Sequence, residues 1–226
     1  MPGAAADLSR LHVVVPIRSL SGGKVRLGAA VDAEERAALI VGMLRHTLTV
    51  LATWPDASAV TVVSPDPAVA AITRAAGAGA LHQDGGGLNA AIRAARAAAG
   101  AAGATALLVL PGDLPLLERP ALERLRDAAD AALAAGHGRP VVALAPADAG
   151  DGTNALLCSP IGVIDPCFGP HSLERHLMAA RAAGASVQVV VDQGLGFDLD
   201  TPADLEQLDP RRLAELEALG AEVVST

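Results

Sequence analysis

The chain has 226 residues, 51% of them hydrophobic and 50 of them alanine, with a net charge of −8 and a pI of about 5.1. That length is enough for one domain around one core, and that composition excludes a disordered chain. The acidic balance and the 1% of aromatic residues (Trp54, Phe168 and Phe197, with no tyrosine) argue against a nucleic-acid partner, which requires a basic face or aromatic stacking platforms.

Residues 11–17 (LHVVVPI) are β-branched and apolar and read as a buried strand. Residues 18–28 (RSLSGGKVRLG) come next as a basic, glycine-containing loop. Asp32, with Glu34 and Glu35 behind it, caps a helix expected to reach about Ala52. Residues 59–63 form the second strand, which ends at Ser64-Pro65-Asp66, and a helix is expected over 68–76. The third strand is 79–82, and Gly85-Gly86-Gly87 leads into an alanine-rich helix over 88–99. Residues 105–110 (TALLVL) are a fourth strand, ending at Pro111-Gly112-Asp113. A helix over 120–135 and a fifth strand over 141–145 complete the alternation.

Strands alternating with helices imply a parallel sheet covered on both faces. In such sheets ligands sit at the carboxyl ends of the strands. The segments 18–26, 64–66, 85–89 and Asp113 therefore fall on one edge. Beyond residue 145 the rhythm changes. Residues 148–154 (DAGDGTN) are a turn-rich loop and 155–158 a short strand. Residues 168–172 (FGPHS) open a helix to about Ala183, and 186–191 and 196–200 (GFDLD) read as strands. Thr201-Pro202 start a last helix with a cap and a first-turn proline. No internal repeat or linker is visible, so the chain reads as a single domain over 1–226 with its core at about 11–206.

Two cysteines, Cys158 and Cys167, are too few for a secreted disulfide scaffold. Residues 1–10 lack the apolar stretch of a signal peptide. The uncharged stretch 97–112 is too short for a bilayer span and is interrupted by glycines and a proline. A cytoplasmic protein with no membrane partner is expected.

Four constellations carry chemistry. Arg18, Lys24 and Arg26 crowd the first loop, which either cradles phosphate oxygens or is an ordinary solvated surface; it is neither a P-loop nor a dinucleotide fingerprint. Asp113, Asp198 and Asp200 are acidic, and alternation on a strand puts Asp198 and Asp200 on one face. Carboxylates so placed are costly unless paired or bound to a cation, and hard oxygen ligands suit Mg²⁺ bridged to phosphates. With a basic loop on the same edge, the set favours a metal–phosphate site over separate caps and turns. Gly152-Thr153-Asn154 with Phe168-Gly169-Pro170-His171-Ser172 offers a helix N-terminus for an anion or a simple cap. Ser64-Pro65-Asp66 and Gly87-Leu88-Asn89 fit base or ribose contacts or plain loop chemistry. His12, His46, His82 and His137 do not pair at ligand spacing. His171 and His176 are five apart, and His176 reads as a packed or capping residue. No serine sits in a nucleophile elbow.

Taken together, PIRSLSGGKVRLG, VVSPD, GLNAAI, LPGDLPLL, GTNALL, FGPHSLERH and FDLDTPADL resemble, in order, the blocks of one family over roughly residues 11–206. The family is the 2-phospho-L-lactate guanylyltransferases, whose bacterial members are phosphoenolpyruvate guanylyltransferases of coenzyme F(420) biosynthesis. The resemblance implies a three-layer nucleotidyltransferase α/β sandwich of the nucleotide-diphospho-sugar transferase (GT-A-like) type, with a mixed, mostly parallel sheet. It implies transfer of GMP from GTP to a small phosphorylated three-carbon acid with release of pyrophosphate. By the same resemblance Arg18, Lys24 and Arg26 hold the triphosphate, and Ser64, Asp66, Gly87 and Asn89 read the guanine and ribose. Thr153, Gly169 and Ser172 hold the acceptor's carboxylate, and Asp113, Asp198 and Asp200 hold Mg²⁺, with Lys24, Arg26 and Asp113 as the catalytic set. Two positions depart from the family pattern: Arg18 stands where lysine is usual, and His171 where glycine is usual. The alternatives are another nucleotidyltransferase of this fold, such as a molybdopterin guanylyltransferase or a sugar-nucleotide pyrophosphorylase, or a non-catalytic nucleotide-binding subunit. The first loop fits the glycine-rich loops of the former poorly, and the three carboxylates argue against the latter. The alanine-rich composition tilts the acceptor toward phosphoenolpyruvate, and the alanine-rich helices are compatible with a homodimer contact.

Overall fold

The computed structural model describes residues 5–20, 24–136, 138–148 and 150–221. Ser21, Gly22 and Gly23 of the basic loop, His137, and Ala149 of the DAGDGTN loop lie outside the described residues.

Among the described residues seven strands form one mixed sheet: β1 (Leu11–Pro16), β2 (Ala57–Ser64), β3 (Gly79–His82), β4 (Ala106–Val109), β5 (Val141–Pro146), β6 (Thr153–Ser159) and β7 (Ser186–Val189). Their spatial order is β3-β2-β1-β4-β6-β5-β7. β1 is parallel to β2 and β4, and β2 to β3. β6 runs antiparallel to both its neighbours, β4 and β5. Val109 pairs with Leu156, and Pro146 with Thr153. The reversed strand therefore brings its first residues, Thr153 and Asn154, to the edge where β1 to β4 end. That edge carries the segments expected from the alternation.

The helices are α1 (Ala33–Ala52), α2 (Pro67–Ala75), α3 (Gly87–Ala101), α4 (Arg119–Ala135), α5 (Ser172–Ala182), α6 (Gln193–Gly196), α7 (Pro202–Gln207) and α8 (Pro210–Ala221). Period-two alternation sends Leu11, Val13 and Val15 of β1 to one face, against Leu44 and Leu48 of α1, Ile72 of α2 and Leu122 of α4. Val14 faces the other side, against Ile92 of α3 and Ala180 of α5. Helices thus cover both faces. Asp32 caps α1 by accepting from the Glu34 and Glu35 N–H groups at 2.8 and 2.9 Å, while Glu35 accepts from the Asp32 N–H at 2.9 Å.

Three sequence expectations are corrected. Residues 196–200 are not a strand. The Asp192 side chain accepts from Gly194 N–H at 2.9 Å and its carbonyl from Gly196 N–H at 2.7 Å, which closes a helical turn, α6, over the start of the segment. Beyond α6 the segment is held to the edge loop by Leu199 N–H donating to Asp113 O at 3.3 Å, and it joins no strand ladder among the described residues. The last helix is two helices, because Leu208 is extended and Pro210 has no N–H with which to continue α7. Part of the basic loop is a 3-10 turn over Val25–Ala29.

α8 lies along α1 at unusually close approach. A Cβ on Gly42 would sit 2.0 Å from the Leu216 carbonyl oxygen, and one on Gly220 would sit 2.1 Å from that of Ala38. Both obstacles are backbone, so two glycines let the helices touch. Leu216 is fully buried in the resulting seam, with Leu39, Met43 and Leu199. Helix propensity alone favours alanine over glycine by about 1 kcal/mol. We expect Gly42→Ala to reverse that sign and cost about 2 kcal/mol, because the helices must separate. Gly100→Ala on α3, where nothing lies within 4 Å, is expected to be neutral or stabilising. Thermal unfolding of the two variants checks this, and equal shifts would disprove the close-approach account.

Candidate active site

Lys24 is the only lysine in the sequence. Its backbone is left-handed, at φ 53° and ψ 38°, and this turns the side chain back under the 3-10 turn. The ammonium lies 2.5 Å from Asp113 Oδ2 and bonds also to Asp200 Oδ1. The lysine side chain is 8% exposed and the two carboxylates 30% and 46%. Burial works against the charge of Lys24, but Asp113 and Asp200 outweigh it and hold the pKa above the ordinary lysine value.

The two aspartates arrive from distant elements. Asp113 lies just beyond β4. Asp200 precedes α7, where Asp204 accepts from the Asp200 and Thr201 N–H groups at 2.9 and 2.7 Å and fixes the turn. Asp198 does not share the partner of Asp200. It faces Asn154, whose Nδ2 donates to Gly196 O at 2.8 Å and reaches Asp198 Oδ1 at 3.4 Å. Burial raises the Asp198 carboxyl, and Asp113 and Asp200 raise it further, against the Asn154 bond and the charge of Lys24. Among the described residues, no three His, Cys, Asp or Glu side chains close on one point as a metal cage. The donors nevertheless fit a hard cation. They are all oxygen, and Asp113 Oδ1 is buried with no hydrogen-bond partner among the described residues.

Arg18 and Arg26 are exposed on the same edge. Ser64 and Asp66 are committed to holding that loop in place. Ser64 Oγ donates to Arg18 O at 3.4 Å, and Asp66 Oδ2 accepts from Leu20 N–H at 3.0 Å and Ser19 Oγ at 3.3 Å. Asp66 also caps α2 through Ala68 N–H at 2.9 Å. Desolvation pushes its pKa up, but these bonds prevail and lower it. Gly87 is exposed and opens α3 at φ 74°. Asn89 spends both ends of its amide on one residue: Nδ2 donates to Phe168 O at 3.0 Å, and Oδ1 accepts from Phe168 N–H at 2.8 Å.

Thr153 and Ser172 are buried and joined, since Ser172 Oγ accepts from Thr153 N–H at 2.9 Å. Gly169 is exposed, with φ 117°. His171 is also left-handed, at φ 56°, a conformation suited to the glycine usual in the resembling family. Its side chain is 74% exposed and meets Asp151 at 2.9 Å, so it points to solvent. Sequence reading missed Asn154, Asp204 and the role of His176. The available signal for His176 was its spacing of four from Ser172, which puts both on one face of α5. A cavity of about 540 Å³ lined by His46, Glu118, Arg124, Asp192 and Arg212 contains none of these site residues.

The family described as "Guanylyl transferase CofC like" matches residues 11–209. The phosphoenolpyruvate guanylyltransferase of Rubrobacter xylanophilus is 46% identical over 199 residues, 88% of this chain and 93% of that protein. That of Sphaerobacter thermophilus is 42% identical over 195 residues, 86% and 90% of the respective chains. Among solved structures, a protein of Desulfovibrio desulfuricans G20 assigned to the nucleotide-diphospho-sugar transferases superposes with a TM-score of 0.74 at 18% identity, covering 95% of this chain and 98% of that one. CMP:2-keto-3-deoxy-manno-octonic acid synthetase complexed with CTP gives 0.57 at 18% identity, covering 95% and 99%. These similarities show the nucleotidyltransferase fold.

The raised pKa of Lys24 has a consequence for stability. Its contribution is complete below the ordinary lysine value and is lost as pH rises through the higher folded value. We therefore expect the thermal stability of the wild type to exceed that of Lys24→Met near neutral pH, and the gap to close above about pH 10.5. With no tyrosine and no second lysine in the chain, little else titrates there. A gap independent of pH would show that Lys24 acts through packing alone.

Proposed function

The chain belongs to the CofC-like guanylyl transferase family, and from that premise we propose that it joins GMP from GTP to the phosphate of phosphoenolpyruvate, or of the closely similar 2-phospho-L-lactate, with release of pyrophosphate. In this reading it serves coenzyme F(420) biosynthesis. The observation that carries it is the meeting of Lys24 with Asp113 and Asp200 on the sheet edge that also bears Arg18 and Arg26.

The chemistry is dictated by charge. The acceptor's phosphate oxygen is already ionised near neutral pH, so no general base is required. It attacks the α-phosphorus of GTP, the new P–O bond forms in line with the breaking bond to the β-phosphate, and pyrophosphate carries away the electron pair. The barrier is largely repulsion between anions. Arg18 and Arg26 neutralise the triphosphate from the loop, and Lys24 joins them by exchanging a carboxylate for a phosphate oxygen. Asp113 and Asp200 are then freed for Mg²⁺, with Asp198 beside them. The ion, when bound, supplies Lewis-acid neutralisation of the phosphate oxygens. Thr153, Gly169 and Ser172 orient the acceptor's carboxylate, while the main-chain groups at Gly87 and the loop tied down by Ser64, Asp66 and Asn89 accommodate guanine and ribose.

Pyrophosphate release with Mg²⁺ tests this directly, with GTP or ATP offered against phosphoenolpyruvate, 2-phospho-L-lactate and 3-phosphoglycerate. The expected result is release with GTP and one of the first two acceptors. Asp113→Ala and Asp200→Ala are each expected to lower kcat by at least about a hundredfold, with cooperative unfolding retained. Full activity in either variant would remove the carboxylates from the mechanism, and release with no pair would overturn the reaction.

A further inference from the structure

His176 is fully buried on α5, and both its ring nitrogens are engaged. Nε2 lies 3.0 Å from the main-chain N of Cys167, and Nδ1 lies 3.0 Å from Thr153 Oγ1. A main-chain N–H can only donate, so Nε2 must present its lone pair. A neutral imidazole has one proton, and that proton is therefore on Nδ1, donated to the Thr153 hydroxyl oxygen. A charged imidazole would set an N–H against the Cys167 N–H. Burial, with Arg175 nearby, pushes the His176 pKa down to about 4, so the neutral form is the one present near neutral pH.

The tautomer sets the polarity of the whole group. Thr153 Oγ1 accepts from His176, and Ser172 Oγ accepts from the Thr153 N–H. Neither hydroxyl proton has a protein acceptor among the described residues. Two hydroxyl donors are thus left side by side at the start of β6 and of α5. The Phe168 ring stands edge-on to His176 at 4.8 Å between centroids, and Asn89 clamps the Phe168 main chain from both sides. The imidazole is accordingly fixed in position as well as in protonation.

We propose that His176 is a positioning residue for the acceptor: as an Nδ1–H imidazole it holds Thr153 as an acceptor of its own bond, so that the Thr153 and Ser172 hydroxyls both donate to the acceptor's carboxylate. This rests on the proposed function for the identity of the anion, but the tautomer does not.

The test has two arms. In the first, ¹⁵N-detected NMR of the ring nitrogens in the wild-type protein is expected to show Nδ1 protonated and Nε2 bare. A protonated Nε2 overturns the inference whatever the reaction proves to be. In the second, steady-state kinetics compare His176→Phe, which keeps a ring, with His176→Asn, whose amide can still donate near the Nδ1 position. His176→Phe is expected to raise KM for phosphoenolpyruvate by roughly ten- to a hundredfold, the worth of one hydrogen bond to a charged group, with KM for GTP unchanged. His176→Asn is expected to recover most of the loss, and adding His176→Phe to Thr153→Val to worsen Thr153→Val little. A parallel rise in both KM values, or independent effects of the two substitutions, marks His176 as merely structural and overturns the proposal. Should His176→Phe fail to fold, the NMR arm and His176→Asn still decide. Absence of acceptor-dependent pyrophosphate release in the wild type would instead defeat the proposed function and leave the tautomer result standing.

Discussion

A single buried ammonium holds the catalytic edge of this protein together. Lys24 bonds to Asp113, 89 positions away, and to Asp200, 176 positions away, and so ties the basic loop to the β4 turn and to the start of α7. Removing three charges from water is expensive, and such a network gives little net stability even when its geometry is good. Its value lies elsewhere. Without the lysine, Asp113, Asp198 and Asp200 repel one another, as the raised pKa of Asp198 already records. With it, the carboxylates are held close enough to receive a cation, and one buried oxygen, Asp113 Oδ1, is left unpaired among the described residues. The edge is poised for an exchange of partners, ammonium for metal and carboxylate for phosphate, and no rearrangement of the sheet is needed.

The sheet divides the work across that edge. Parallel strands deliver the basic loop, the Ser64-Pro65-Asp66 turn, the glycine run and Asp113 from one direction. The reversed β6 delivers Thr153 and Asn154 from the other, and alternation sends these neighbours to opposite faces. Asn154 meets Gly196 and Asp198 on the carboxylate side, and Thr153 meets His176 on the side covered by α5. Asn89 crosses between the halves, because it opens α3 on the side of the glycine run and grips Phe168 on the other. Its role as a guanine contact and its role as a clamp therefore compete for the same amide.

The parallel half was legible because each of its strands is a continuous apolar run bounded by a polar turn; β3 and α1 appear as the residues dictate, and the Asp32 capping box is written in DAEE. The edge emerged from that alternation, and with it the placement of Arg18, Lys24, Arg26 and Asp113. Pairing in space could not be read. GFDLD alternates like a strand, yet Asp192 closes a helical turn into it, and its two aspartates then take different partners. Ser64 and Asp66 carry side chains suited to a ligand, and only the fold shows them bound to the neighbouring loop. For His176 the spacing of five to His171 carries no information, whereas the spacing of four to Ser172 does. α8 is not separable from α7 by pattern, because its purpose is a backbone contact, made by Gly42 and Gly220, for which sequence has no side-chain signal.

The charge inventory sharpens the account of Lys24. The chain carries sixteen arginines and one lysine, so composition favours arginine wherever a positive charge alone suffices. Arg18 illustrates this: it stands exposed where lysine is usual in the resembling family, and a wide guanidinium can serve a phosphate there. At position 24 the geometry is different. The cation must fit between two carboxylates from separate segments, buried, and then move to a phosphate. A compact ammonium on a flexible stem makes both contacts with its three donors and can swing between them. A planar fork prefers one carboxylate gripped by two parallel bonds, which would hold Asp113 or Asp200 but not both. The one lysine retained by an arginine-rich chain stands where the difference between the two cations is mechanical rather than electrostatic.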